Sequence, residues 1–137
     1  MKVAQRMTRE VKMIRPETSI QEAARTMTDC DVGSLPVTDG ERLVGMVTDR
    51  DIVTRAVCIG KGPDTSVRDV MTDDVKYCVD DQDIADIASN MADVQLHRLP
   101  VVNRDKRLVG IIALADVAMA ANDQTVGKAV SGISQGV

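Results

Sequence analysis

The residues best suited to chemistry lie in the stretch 45–51, which has the sequence GMVTDRD and joins a predicted strand to a predicted helix. The N–H groups in the first turn of a helix carry partial positive charge and attract phosphate, and Gly45 permits close approach to the backbone. The Asp51 carboxylate can accept hydrogen bonds from two neighbouring sugar hydroxyls, while Arg50 can contact phosphate. The spacing of Thr48 and Asp51 is equally that of a capping box, which needs no ligand. Both interpretations stay open at this point.

A second, related stretch at 110–116 has the sequence GIIALAD. It keeps the glycine and ends on Asp116, but alanines replace the threonine and the arginine of the first stretch. Upstream of it, His97 and Arg98 precede a Leu-Pro pair where the first copy has small residues. Arg98 is a candidate to pair with phosphate and His97 to contact phosphate or water, although a histidine without such a role is an equal alternative. The pattern predicts two related sites that are not equivalent.

The available residues do not favour catalysis. His97 is the single histidine, so little is available to build a Ser–His or Cys–His pair. The paired carboxylates at 73–74 and 80–81 fall in predicted loops, where solvated charges are typical. The stretch 60–62, with the sequence GKG, lacks the spacing of a Walker phosphate loop. We therefore expect no enzymatic activity, no metal and no catalytic cofactor.

Composition argues against several classes of partner. The 137 residues carry a net charge of −4, so the surface as a whole does not attract nucleic acid. Tyr77 is the lone aromatic residue, which leaves almost no platform for base stacking. The longest apolar stretch, 108–121, is too short to span a bilayer, and residues 1–6 do not read as a signal peptide, so we expect a cytoplasmic protein. Three unevenly spaced cysteines predict free, buried thiols.

The chain contains an internal duplication. An offset of 64 positions superimposes the Leu-Pro-Val run at 35–37 on the run at 99–101. After one inserted residue in a predicted turn, an offset of 65 aligns Asp51 with Asp116. Two copies are too few for a solenoid, so we expect the pair to close face to face about a pseudo-two-fold axis.

Within each copy the hydrophobic period changes in the same order, which predicts the element sequence β-α-β-β-α and a mixed α/β (α+β) fold. In the first copy a short extended run at 11–14 precedes a helix capped by Ser19, and Asp83 has the same role in the second copy. The core face of the first helix is predicted from its spacing to contain Ile20, Ala23, Ala24 and Met27. Two strands and a shorter helix follow at about 35–38, 43–47 and 49–56, and again at about 99–102, 108–112 and 114–121.

The predicted boundaries follow the two copies. The first copy occupies 1–60, a turn-rich linker 61–66, the second copy 67–122 and a polar tail 123–137. Ser66 is a candidate cap for a short helical turn at 67–71.

The doubled pattern resembles the CBS domain family. Its marks are Met-Thr at 7–8 and 71–72, a Leu-Pro-Val run in each copy, and Gly, two hydrophobic residues and Thr-x-x-Asp at 45–51, from which the second copy departs at Ala113. Over residues 3–121 the chain is similar to a stand-alone CBS domain pair, also called a Bateman module. The resemblance implies two units packed through their sheets, with two clefts that can each take AMP, ADP, ATP or S-adenosylmethionine.

The resemblance also assigns residues to each cleft by their positions in the motif. In one cleft the first copy would contact sugar and phosphate and the second copy would contact the base, through Thr48, Arg50 and Asp51 with Gln82, Ile87 and Leu108. In the other cleft the roles are exchanged, through Asp116, Arg98 and His97 with Thr18, Ala23 and Leu43. The fuller ribose-phosphate corner ranks the Asp51 cleft slightly ahead.

The leading hypothesis is a regulatory module that binds an adenine nucleotide or adenosyl ligand and responds by a change of shape or of dimer geometry. The resemblance implies a homodimer formed through the helices, together with an unknown protein effector. The alternative is a ligand-free dimeric interaction module in which Thr48 and Asp51 act only as helix caps.

Overall fold

The computed structural model describes residues 1–88, 98–113 and 115–119. The chain divides into two compact units that do not follow the order of the sequence. The first unit contains Glu10–Lys76 and Asp105–Leu108, and the second contains Met1–Arg9, Tyr77–Arg104 and Val109–Val137. In the described part of the chain, no helix combines the length and the apolarity needed to cross a membrane.

Helix α1 (Ile20–Cys30) of the first unit is capped at both ends. The Ser19 hydroxyl accepts a hydrogen bond from the backbone N–H of Glu22 at 3.1 Å, which confirms the predicted cap. At the other end Asp31 adopts the left-handed conformation with a φ of 53°, and its N–H donates to carbonyls of the last turn. The helix therefore starts and stops through contacts within a few residues of its ends.

The core face of α1 is narrower than predicted. Ile20, Ala23 and Met27 are buried, as their spacing on one helix face requires. Ala24 is exposed, so the prediction for this residue is wrong. Successive residues are about 100° apart around a helix, and this rotation carries Ala24 from the buried stripe to its solvent-facing rim.

An antiparallel hairpin follows, formed by β1 (Ser34–Asp39) and β2 (Arg42–Thr48). Both predicted strands are confirmed, and each is one residue longer at either end. Gly40 takes a φ of 65° in the connecting turn, a conformation that glycine adopts without strain. The predicted extended run before α1 is reduced to a single parallel bridge between Ile14 and Val37.

The remaining elements of the first unit are short. Helix α2 (Asp49–Arg55) starts directly after β2 and leads into a 3-10 turn at Val57–Ile59. A second 3-10 turn, Val67–Asp69, follows Ser66, whose side chain makes no cap hydrogen bond, so that predicted cap is wrong. The N–H of Asp69, which such a cap would engage, donates instead to the backbone carbonyl of Ser66 at 3.0 Å.

The second unit has a similar set of elements. In chain order they are a 3-10 turn at Val3–Gln5, β3 (Cys78–Val79), helical residues 84–88, β4 (Arg98–Val102), β5 (Leu108–Ala113) and helical residues 115–119. Val109 is the first residue of β5 that belongs to this unit. The strands form one sheet in the order β3-β4-β5, with β3 parallel to β4. The Asp83 carboxylate accepts the N–H of Ala85 at 3.0 Å, which confirms its predicted place at a helix start.

Each unit is completed by a segment that begins the other copy of the repeat. In the first unit Thr72, from the start of the second copy, exchanges two backbone hydrogen bonds of 2.9 Å with Met46 of β2. In the second unit Thr8, from the start of the first copy, exchanges hydrogen bonds of 2.7 and 2.9 Å with Ile111 of β5. The compact units therefore interleave the two sequence copies.

Both units have aliphatic cores of their own. The first core includes Ile14, Ile20, Met27, Leu35, Val47 and Val67. The second core includes Val3, Met7, Ile84, Ile87, Leu99 and Ile112. The predicted mixed fold of small sheets and helices is confirmed.

The three cysteines differ in exposure. Cys78 is buried in the second core, as predicted, whereas Cys30 and Cys58 are exposed and the prediction for them is wrong. Cys30 is the last residue of α1 and Cys58 lies in a 3-10 turn. At both positions the side chain lies outside the two cores. Burial raises the pKa of the Cys78 thiol to about 12.

We expect Gly45→Ala to lower the free energy of unfolding by about 1–3 kcal/mol. A Cβ atom at this position would lie 2.7 Å from Sδ of Met71 and 3.0 Å from the carbonyl oxygen of Thr72. Urea denaturation measures the change. Gly62→Ala is the matched control, because nothing lies within 4 Å of a Cβ there. Equal losses in the two variants would contradict the close approach at Gly45.

We expect Ellman's reagent at pH 8 to label Cys30 and Cys58 rapidly in the native protein and to label Cys78 only after unfolding. A buried thiol with a raised pKa holds almost no thiolate at that pH, and thiolate is the reactive form. Counting labelled thiols by mass spectrometry with and without denaturant tests this. Rapid labelling of three thiols in the native protein would rule it out.

Candidate functional site

The candidate site begins where β2 ends and α2 starts. The Thr48 hydroxyl accepts the N–H of Asp51 at 3.0 Å, and the Thr48 N–H donates to Oδ2 of Asp51, also at 3.0 Å. This is the complete reciprocal capping box that the sequence spacing predicts. The capping interpretation is therefore confirmed, and the pair holds the Asp51 carboxylate in one orientation.

The Asp51 carboxylate is largely withdrawn from solvent and has a cationic neighbour. Its side chain is 14% exposed, and Oδ1 lies 3.8 Å from Nε of Arg55 one helical turn later. An ionised carboxylate offers about four lone-pair positions, so the contacts to Thr48 and Arg55 leave acceptor capacity on both oxygens. Asp51 can accept further hydrogen bonds from a neutral donor such as a hydroxyl.

The first turn of α2 does not present unused N–H groups. The N–H of Asp49 donates to the carbonyl of Gly33 at 3.0 Å, and the N–H of Arg50 donates to the Asp49 carboxylate at 2.8 Å. The N–H of Asp51 is already engaged by Thr48. These N–H groups already donate to Gly33, Asp49 and Thr48, so the expected anion seat on free backbone N–H groups is not present at this helix start. The Arg50 side chain, predicted to contact phosphate, is exposed.

Two polar residues assigned to the base occupy equivalent turns in the two units. In the first unit Oγ1 of Thr18 accepts the N–H of Arg15 at 3.1 Å. In the second unit Oε1 of Gln82 accepts the N–H of Val79 at 2.7 Å. Each side chain therefore closes a local turn and is held in place by it, in agreement with the 64-residue offset of the copies.

The apolar residues assigned to the base are mostly core residues. Ala23 and Leu43 are buried in the first unit, and Ile87 is buried in the second. Leu108 is partly buried, and its N–H donates to the carbonyl of Glu41 at 2.9 Å.

The corresponding end of the second copy is chemically poorer. Asp116 is partly buried within the helical residues 115–119, and Arg98 is the first residue of β4. Ala113 stands where Thr48 stands in the first copy, so the hydroxyl half of a capping box is missing. The prediction for His97 falls outside the described residues.

Taken by unit, the structure brings Thr48, Arg50 and Asp51 together at the start of α2. The first unit also holds Thr18, Ala23, Leu43 and Leu108, and the second holds Gln82, Ile87, Arg98 and Asp116. Arg55 was not among the site residues predicted from the sequence. Its spacing of four residues from Asp51 is the signal that was available, because an acidic residue and an arginine at i and i+4 on a helix are neighbours.

The chain has clear similarities to known proteins. Residues 3–57 and 67–123 each match the family profile of the CBS domain. The CBS domain-containing protein YhcV of Bacillus subtilis is 37% identical over 129 residues, which cover 93% of this chain and 91% of YhcV.

Solved structures agree with the sequence matches. The structure of CBSX2 in complex with AMP has a TM-score of 0.79 and 30% identity, covering 90% of this chain and 98% of CBSX2. The cytosolic domain of the Mg2+ channel MgtE in complex with ATP has a TM-score of 0.75 and 30% identity, covering 87% of this chain and 48% of that one. The chain therefore belongs to the CBS domain family and contains two copies of its domain.

Proposed function

We propose that this protein is a non-catalytic regulatory module that binds an adenine nucleotide, with the ribose hydroxyls on Asp51. The observation that carries this proposal is the Asp51 carboxylate, which is fixed by Thr48 and keeps unused acceptor positions although it is only 14% exposed. The similarity to CBSX2, which was solved with AMP, supports the nucleotide class.

The chemistry of the site suits a sugar better than a bare anion. A fixed, ionised carboxylate gains charge-assisted hydrogen bonds from neighbouring hydroxyls and loses little rotational freedom when it binds them. Because the backbone N–H groups of α2 are already engaged, phosphate recognition would fall to the side chains of Arg50 and Thr48. AMP, ADP, ATP and S-adenosylmethionine all contain adenosine, so each would place its ribose hydroxyls at Asp51.

The second copy would provide a weaker site of the same kind. Asp116 would take the sugar hydroxyls, with Arg98 and His97 toward phosphate. Ala113 and Ala115 replace Thr48 and Arg50, so the carboxylate lacks a threonine partner and the turn lacks a cation. Base contacts from Gln82, Ile87 and Leu108, and from Thr18, Ala23 and Leu43, stay predictions of the family pattern, as do the domain boundaries at 60, 66 and 122.

A dimeric interaction module is the second candidate, and one observation favours it. Val53 of α2 and Val57 and Ile59 of the following 3-10 turn are exposed, at 56%, 63% and 63%. Large aliphatic side chains exposed on one short helix and the turn after it are candidates for a surface that another protein covers. We propose that these residues form a homodimer contact that does not require a ligand.

We expect the double variant Thr48→Ala, Asp51→Ala to lose more than tenfold in AMP affinity. A tenfold loss corresponds to about 1.4 kcal/mol. The reason is that it removes both the sugar acceptor and the residue that holds it. Isothermal titration calorimetry with AMP measures the loss, and urea denaturation should show about 1 kcal/mol less stability from the lost cap.

Ser19→Ala is the matched control for the nucleotide experiment. It removes a comparable cap hydrogen bond from α1 and should cost about 1 kcal/mol of stability without changing AMP affinity. Equal AMP affinity in the wild type, the control and the double variant would contradict the role of Asp51. A wild type that binds neither AMP nor ATP at millimolar concentration would favour the ligand-free module.

We expect Val53→Glu, Val57→Glu to convert a wild-type dimer into a monomer, because charges placed on a covered aliphatic surface lose hydration without gaining a partner. Both residues are exposed, so each unit should keep its stability. Sedimentation velocity measures the change. Lys61→Glu changes the net charge by the same amount and should stay dimeric. A monomeric wild type at every concentration would exclude this contact.

A further inference from the structure

Arg55, the last residue of α2, contacts two parts of the first unit at once. Its Nε lies 3.8 Å from Oδ1 of Asp51. Its Nη1 donates to the carbonyl oxygens of Val70 and Met71, at 3.3 and 3.4 Å. The same guanidinium therefore joins the proposed sugar-binding carboxylate to a backbone segment more than a dozen residues further along the chain.

That segment, residues 70–72, is held to the unit by several independent contacts, and we refer to it as the connector. Val70 is completely buried in the first core. Thr72 exchanges two backbone hydrogen bonds with Met46, as described above. Beyond the connector the chain runs only to Lys76 before it enters the second unit at Tyr77. The connector therefore lies close to the point at which the chain leaves the first unit.

We propose that Arg55 is a positioning residue that couples the state of Asp51 to the connector. This inference rests on the proposed function, because it assigns the nucleotide sugar to Asp51. A guanidinium carries five N–H donors in a rigid fork, so a change in its contact with Asp51 alters the geometry available to the two carbonyls. When sugar hydroxyls take lone pairs of Asp51, the attraction between Asp51 and Arg55 weakens and the hold on residues 70–72 changes with it.

The coupling belongs to one copy of the repeat only. With the offset of 65 that aligns Asp51 with Asp116, the residue corresponding to Arg55 is Ala120. The second copy therefore lacks the guanidinium in its sequence, in addition to the threonine and arginine already replaced by Ala113 and Ala115. Signalling from a bound nucleotide through this route is confined to the Asp51 site.

A ligand-free cycle of single and double variants tests the coupling. It measures hydrogen exchange of the Thr72 amide, which donates to the carbonyl of Met46. We expect Arg55→Met to raise its exchange rate roughly three- to tenfold, since local opening becomes easier. Asp51→Asn should raise it in the wild-type background but not in the Arg55→Met background. Arg55→Lys should not restore protection, because a single ammonium cannot replace the fork. Arg25→Met, at an exposed position of α1, is the charge-matched control and should change nothing.

A second arm repeats the measurement at saturating AMP, so that differences in affinity do not enter. AMP should change Thr72 exchange in the wild type and leave it unchanged in Arg55→Met. An equal AMP effect in both proteins, or an equal Asp51→Asn effect in both backgrounds, would overturn the coupling. Failure of the wild type to bind either AMP or ATP would count against the proposed function instead, and the ligand-free cycle would then decide on its own whether Arg55 links Asp51 to the connector.

Discussion

The pair of hydrogen bonds between Thr48 and Asp51 is the interaction on which the candidate site depends. It ends β2, starts α2 and fixes the direction of a carboxylate that is mostly shielded from water. A carboxylate that already accepts a backbone N–H does not have to be ordered when a ligand arrives. This lowers the entropic cost of binding. Stability and the proposed recognition of a sugar therefore involve the same two side chains.

Capping and ligand binding are alternative explanations of the Thr-x-x-Asp pattern, and the geometry here allows both. The cap uses one lone pair of Asp51 and Arg55 faces the other oxygen, which leaves acceptor positions unused. By contrast, the helix N–H groups are fully engaged by Gly33, Asp49 and Thr48. The start of α2 is consequently suited to hydroxyl groups more than to an anion seated on the backbone.

Close backbone pairing explains why the compact units interleave the copies. A Cβ at Gly45 would lie 3.0 Å from the carbonyl oxygen of Thr72, and one at Gly110 would lie 2.9 Å from that of Thr8. The glycine of each copy thus lets a segment from the start of the other copy approach and pair with its strand. The duplication is expressed in the fold as two equivalent close approaches, one inside each unit.

Elements that depend on near neighbours could be predicted from the residues alone. Ser19 and Asp83 cap helices because a cap involves residues two or three positions away, and the hairpin around Gly40 follows from strand patterning and one permissive turn. The same local logic located the Thr48 and Asp51 pair. These features, with the duplication, are enough to establish the fold class and the family pattern.

Long-range packing of the folded chain fixes which side chains and backbone groups meet across longer distances. The exposure of Ala24, Cys30 and Cys58 depends on what packs beside them, which a local period does not encode. The carbonyl of Gly33 that engages α2 lies 16 positions before Asp49. Likewise, the carbonyls that receive Arg55 come from a segment whose place is set by its pairing with β2. These contacts join residues that are distant in sequence. They depend on how the folded chain packs, which the residues next to each position in the sequence do not determine.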